Sequence, residues 1–119
     1  AVAFTNDRAI QAGLKGQVEV LHGRDPAAVD PADKVIVRAF GPDPADASRI
    51  KVWNEELPFL SNPVVWEIPV AAGLTIGPRV VRAYYVDTNG NGTNLFSRSA
   101  IEQVTLRVGV NQLNLTIDR

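Results

Sequence analysis

The residues of this chain best suited to chemistry lie in Asp87-Thr88-Asn89-Gly90-Asn91-Gly92-Thr93. Oxygen-bearing side chains stand at alternate positions, Asp87, Asn89 and Asn91, with a glycine directly after the third. That is how the first half of a calcium-binding loop wraps a hard cation. Thr93 follows where a ligand loop turns a backbone carbonyl toward the ion, so the predicted metal set is Asp87, Asn89, Asn91 and Thr93, with calcium as the cofactor. A complete loop of this kind closes on a bidentate glutamate at its twelfth position, where this chain has Arg98. With Asp87 as the only formal charge among the ligands, the expected affinity is weak, on the order of 10⁻⁴ to 10⁻³ M. The same residues also spell a tight reversal, because Asn-Gly favours the left-handed conformations of a hairpin turn.

The aromatic residues offer a second kind of chemistry. Trp53, Trp66, Tyr84 and Tyr85 could make a flat platform on which sugar rings stack, or they could fill a core. Neighbouring strand residues point to opposite faces, which predicts Tyr85 inward with Val81 and Ala83 and Tyr84 outward beside Arg82. Tyr84 and Trp53 are the candidate ligand-binding residues, and the ligand is a protein or a carbohydrate.

Catalytic sets are sparse. His22 is the one histidine, cysteine is absent, and the four serines, at 48, 61, 97 and 99, lie outside any Gly-x-Ser-x-Gly elbow. Glu55 and Glu56 are adjacent on a predicted strand, so they face opposite ways and cannot flank one glycosidic bond. The reading is non-enzymatic.

The elements that position these residues are strands. Apolar residues alternate with polar ones in short runs bounded by Gly, Pro, Asn and Asp, predicting seven strands near residues 14–22, 34–40, 49–57, 64–70, 79–86, 100–108 and 113–117. Val18 and Val20 face inward on the first, and Val35, Val37 and Ala39 on the second. The third is ambiguous: Ile50 and Val52 alternate with Arg49 and Lys51, while Ile50, Trp53 and Leu57 fit a helical stripe. Val104, Leu106 and Val108 point inward on the sixth, and Leu113, Leu115 and Ile117 on the last. Residues 24–33 and 41–48 are rich in Pro, Asp and Ala and read as loops, and Gly109 to Asn111 as a short reversal.

With 119 residues and a net charge of −1, residues 1–119 make one domain without the basic footprint of a nucleic-acid binder. No apolar run reaches the ~18 residues that a spanning helix needs. The chain has no methionine and begins with Ala1, which predicts an N-terminus processed or cut, by loss of a signal peptide or lipoprotein leader or by excision from a longer polypeptide. The absence of cysteine does not fix the compartment, and since many bacterial envelope proteins lack it the reading is an exported bacterial protein.

Several segments together resemble a known family: Leu14-Lys15-Gly16-Gln17-Val18, Val37-Arg38-Ala39-Phe40, Ile68-Pro69-Val70-Ala71-Ala72-Gly73-Leu74, Val81-Arg82-Ala83-Tyr84-Tyr85-Val86 running into the Asp87 loop, and Val108-Gly109-Val110-Asn111-Gln112-Leu113-Asn114-Leu115. Their order is similar to that of the prealbumin-like, carboxypeptidase-regulatory-like domains of exported proteins. The resemblance implies an all-β, seven-stranded Greek-key sandwich with the Asp87 loop at one end, associated with calcium or with simple turn structure. It also implies an accessory module of adhesion, anchoring, sugar binding or assembly, secreted or held in the cell envelope: the periplasm, an outer-membrane lipoprotein or the surface.

Overall fold

The computed structural model describes residues 10–87 and 95–118. Among them the regular structure is all β, apart from one 3₁₀ turn at Val70–Ala72. The strands are β1 (Ala12–His22), β2 (Asp25–Pro26), β3 (Asp30–Asp43), β4 (Asp46–Phe59), β5 (Val64–Ile68), β6 (Gly77–Asp87), β7 (Leu95–Leu106), β8 (Gly109–Gln112) and β9 (Leu115–Asp118). They form two sheets. One is antiparallel in the order β4-β3-β6-β7; in the other, β1 is the centre to which β2, β5, β8 and β9 all pair. Two packed sheets bury the apolar face of each, the solution open to a chain whose strands alternate in and out.

Among the described residues nine strands therefore stand where the pattern predicts seven. The additions are β2, which pairs with β1 across a two-residue turn with His22 opposite Asp25, and β8. Residues 109–111, read as a reversal, lie in β8, parallel to β1 with Ala12 opposite Gly109. The strands β3 and β4 also run through most of residues 41–48 and meet at a hairpin with Asp43 opposite Asp46. No helix forms over 49–57, since β4 covers that stretch.

The core follows the alternation. Leu14, Val18 and Val20 of β1, Val35, Val37 and Ala39 of β3, Trp66 and Ile68 of β5, Val81, Ala83 and Tyr85 of β6, Leu106 of β7, and Leu115 and Ile117 of β9 are all buried. Two inward assignments need correction. Val108 is 73 % exposed, because it lies between β7 and β8, where the chain turns from one sheet to the other. On β4 the opposite phase wins: Trp53 and Phe59 are buried while Ile50 and Val52 face solvent. Trp53 and Phe59 carry more apolar surface than Ile50 and Val52, so turning the aromatics inward is favoured.

At the parallel seam between β1 and β8/β9 the two chain segments approach closely. Leu113 N–H donates to Lys15 O at 2.9 Å, and Gln17 N–H donates to Asn114 Oδ1 at 3.2 Å, so Asn114 supplies with its side chain an acceptor that the broken ladder lacks. Any Cβ on Gly16 would sit 1.7 Å from Leu113 O. At the other edge of β1, Asn62 acts as a substitute strand: its amide accepts from Val20 N–H at 3.0 Å and donates to Val20 O at 2.8 Å and Ala27 O at 3.0 Å. Arg79 fixes the far end of the large sheet. Its buried guanidinium donates to Pro78 O, Thr75 Oγ1 and Ile76 O at 2.6, 2.7 and 2.7 Å, and burial holds its pKa below the usual arginine range without discharging it at neutral pH.

Gly16→Ala should destabilise the domain by more than about 3 kcal/mol, since the clash is with backbone that cannot rotate away. Leu115→Ala should cost about 2–5 kcal/mol, and the exposed Thr116→Ala under about 0.5. Denaturant midpoints check the series; a mild Gly16→Ala would mean that the seam is looser than drawn.

Candidate functional site

Asp87 ends β6, so the loop predicted to hold a metal leaves the large sheet at its Asp87 end. Asn89, Asn91 and Thr93 lie outside the described residues, and no group of three His, Cys, Asp or Glu residues suited to a metal occurs among the described ones. The neighbourhood adds one residue that sequence reasoning missed. Lys34 pairs with Val86 at the end of the β3–β6 ladder, so Asp33, next to Lys34 in the chain, and Asp87, next to Val86, flank the last pair of that ladder. Asp33 is only 4 % exposed and accepts a hydrogen bond from the Tyr85 hydroxyl. Two carboxylate residues thus flank the end of the ladder from which the loop leaves. The signal was available: the inward phase of Val35, Val37 and Ala39, carried back two residues, reaches Asp33.

Of the two readings open for the aromatic residues, the tryptophans take the core one. Trp53 is opposite Ala39 on the inner face, 6 % exposed, and Trp66 is buried as well. The Trp53 indole Nε1–H donates to Ala72 O at 2.8 Å, tying the 3₁₀ turn to β4, and Lys51 Nζ stands 5.3 Å from its ring centroid. Its ring serves the core rather than a ligand. Tyr84 does face outward, with Tyr85 inward, as the alternation predicts. Trp53 and Tyr84 therefore lie on opposite faces of one sheet and cannot serve one ligand.

Tyr84 instead anchors a cationic arrangement. The guanidinium carbons of Arg38 and Arg82 each lie 5.1 Å from its ring centroid, within cation–π range. Arg38 and Arg82 are directly opposite one another on β3 and β6, a like-charge cross-strand pair that is unfavourable in itself. Arg38 Nε–H donates to Asn54 Oδ1 at 2.9 Å, and Arg82 Nη2 to Ser99 Oγ at 3.3 Å. The Arg82 Nε donor is buried and has no hydrogen-bond partner among the described residues. The same face exposes aliphatic surface: Ile50 at 76 %, Ile101 at 60 % and Val52 at 44 %.

The remaining sequence candidates disperse. Glu55 is opposite Val37 and Glu56 opposite Ile36, one on each face, and Glu56 pairs with Lys34 at 3.7 Å. His22 is exposed at the end of β1 and helps to line an open depression of about 400 Å³ with Asp25, Pro26, Ala27 and Ala28. Comparison with protein-family models, with curated proteins and with solved structures finds no match.

If Arg38 and Arg82 are placed for recognition rather than for folding, Arg38→Gln and Arg82→Gln should each shift stability by less than about 1 kcal/mol. The parent protein should gain on the variants as salt is raised, because screening relieves the repulsion between the two guanidiniums. By contrast Arg79→Gln should cost about 1–3 kcal/mol through the buried hydrogen bonds that it breaks. Urea midpoints at low and high ionic strength measure all three.

Proposed function

We propose that this chain is a non-enzymatic binding or structural module of an exported protein, secreted or held in the cell envelope, and that it docks its partner on the outer face of the four-stranded sheet. The observation that carries the reading is that face itself, where Ile50, Val52 and Ile101 are exposed around the Arg38, Tyr84 and Arg82 group. Arginine, tyrosine and aliphatic side chains grouped on one surface are the composition of recognition surfaces. The export setting and the accessory role come with the family resemblance.

The prealbumin-like Greek-key arrangement is part of the same proposal, and the strand order supports it. What supports it is that β3 and β4 form a hairpin, β5 crosses to the other sheet beside β1, and β6 returns to lie against β3, a return to the first strand of the kind a Greek key makes.

Calcium enters as a stabilising ion at the Asp87 end, with Asp33 and Asp87 bringing two carboxylates to the start of the Asn89, Asn91 and Thr93 loop. A few millimolar calcium should then raise stability by RT ln(1 + [L]/Kd), about 2 kcal/mol for a Kd of about 10⁻⁴ M. Magnesium should do less, Asp87→Ala should abolish the increment, and Asp33→Asn should reduce it. A melting temperature indifferent to calcium and to chelator removes the ion from the proposal and leaves the module.

A carbohydrate ligand is the second reading, supported by the outward placement of Tyr84. Exchange-based footprinting with the partner bound tests the docking face for either ligand: protection should centre on β3 and β6 around Arg38 and Arg82. Protection confined to the sheet built on β1 would overturn it.

A further inference from the structure

We infer that the outer face of the small sheet binds a second copy of this chain, with Lys15 of each copy paired to Glu67 of the other. Alternation exposes the residues concerned. Leu14, Val18, Val64, Trp66 and Ile68 are buried, which turns Lys15 and Gln17 of β1 and Val65 and Glu67 of β5 outward. Val110 and Gln112 of β8 share that face, lying beside Gly13 and Lys15 in the parallel register. Lys15 stands directly opposite Glu67, yet neither makes an ion pair among the described residues. Two opposite charges are thus held side by side, both exposed.

Charge decides how two such faces can meet. A two-fold dimer places one patch on itself, so the patch must complement itself. An axis lying over β1, or crossing the strands at the level of Lys15, would set Lys15 on Lys15. An axis over β5 would set Glu67 on Glu67, and each of these arrangements is repulsive. An axis parallel to the strands and midway between β1 and β5 has the opposite result. It lays β1 of each copy over β5 of the other, and the face gains two Lys15–Glu67 pairs.

Shape follows the same axis. Lys15, Gln17, Val65 and Glu67 line an open depression of about 250 Å³. Val65 is 66 % exposed and stands opposite Gln17, so the axis that joins the charges also brings Val65 of each copy over the depression of the other. Val70 and Val110, 40 % and 56 % exposed, close over Gly13, where a Cβ would lie 3.1 and 3.3 Å from their Cγ2 atoms. They extend the apolar surface on the far side of the charged pair. Three strands with a β1 of 11 residues cover about 500 Å² at ~4.8 Å per strand and ~3.3 Å per residue. A standard interface takes about 800 Å² from each partner, so this dimer is a weak one, with a Kd on the order of 10⁻⁴ M. Pairing through the small sheets leaves the outer faces of both large sheets pointing away from the contact.

Analytical ultracentrifugation of the whole chain from about 10 µM to about 1 mM provides the test. The average mass should climb from that of one chain toward that of two. Lys15→Glu and Glu67→Lys should each weaken self-association about tenfold or more, because each sets like charges together twice. Val65→Ser should weaken it about threefold, while Arg24→Gln, in the turn after β1, leaves it unchanged. An equimolar mixture of the Lys15→Glu chain with the Glu67→Lys chain should recover the affinity of the parent, since every facing pair is again of opposite charge. The β-type circular dichroism of each variant should stay as in the parent. A mass that remains that of one chain at about 1 mM would overturn the inference, and so would a dimer indifferent to both charge reversals. Charge reversals that weaken the dimer singly and are not rescued by mixing would overturn it as well, because the two residues would then act within one chain and not between copies.

Discussion

The smaller sheet of this sandwich is hung on β1, and β1 can hold it because Gly16 has no side chain. On one edge β5 and β2 pair with it, and on the other β8 and β9 run parallel to it. The chain passing from β8 to β9 comes so near that a methyl group at Gly16 would overlap the Leu113 carbonyl. That approach closes the small sheet over the core made by Val35, Val37, Val81 and Tyr85, all fully buried. Asn62 serves the opposite edge, lending its amide to Val20 and Ala27 where β5 has no backbone to offer. The small sheet is thus secured by two local substitutions, a missing Cβ and a borrowed amide. The large sheet needs neither, because β3, β4, β6 and β7 form long antiparallel ladders.

Much of the fold was legible in the sequence because its strands are amphipathic. The inward residues of β1, β3, β6 and β9 follow from alternation alone, as does the opposite facing of Tyr84 and Tyr85. The failures share a cause. Alternation says that two faces differ but not which one is buried, so Ile50 and Val52 made a plausible inner face on β4 until Trp53 and Phe59 displaced them. Gly109-Val110-Asn111-Gln112 has turn residues and no periodicity, and it is a strand only because β1 lies beside it. Short strands of this kind are defined by their partner, which no local window contains.

The functional residues divide in the same way. Tyr84 was legible, being an outward aromatic beside an arginine in its own strand. Arg38 was not, since it meets Tyr84 and Arg82 only through the β3–β6 register, and Asp33 comes near Asp87 only at the end of the same ladder. The chemistry of this surface therefore resides in cross-strand neighbours, the pairs that decide what a sheet face can recognise. Trp53 misled for a related reason: its ring could have served a ligand or the core, and the phase of β4 settled the matter.

The parallel seam between β1 and β9 also has a mechanical side. Because Val18 pairs with Leu115 and Leu21 with Asp118 in the same direction, a stretching load applied through residues 10 and 118 runs along the two strands in opposite senses. Its hydrogen bonds are then sheared together rather than peeled one after another, and the slanted, evenly spaced bonds of a parallel pair share that load. In single-molecule pulling the domain should yield in one event at high force, and Gly16→Ala should lower that force. A gradual, low-force extension would show that the seam does not carry the load. A module bearing a partner on its large sheet would thus take tension through the small one, leaving the loaded strands and the recognising strands on separate sheets.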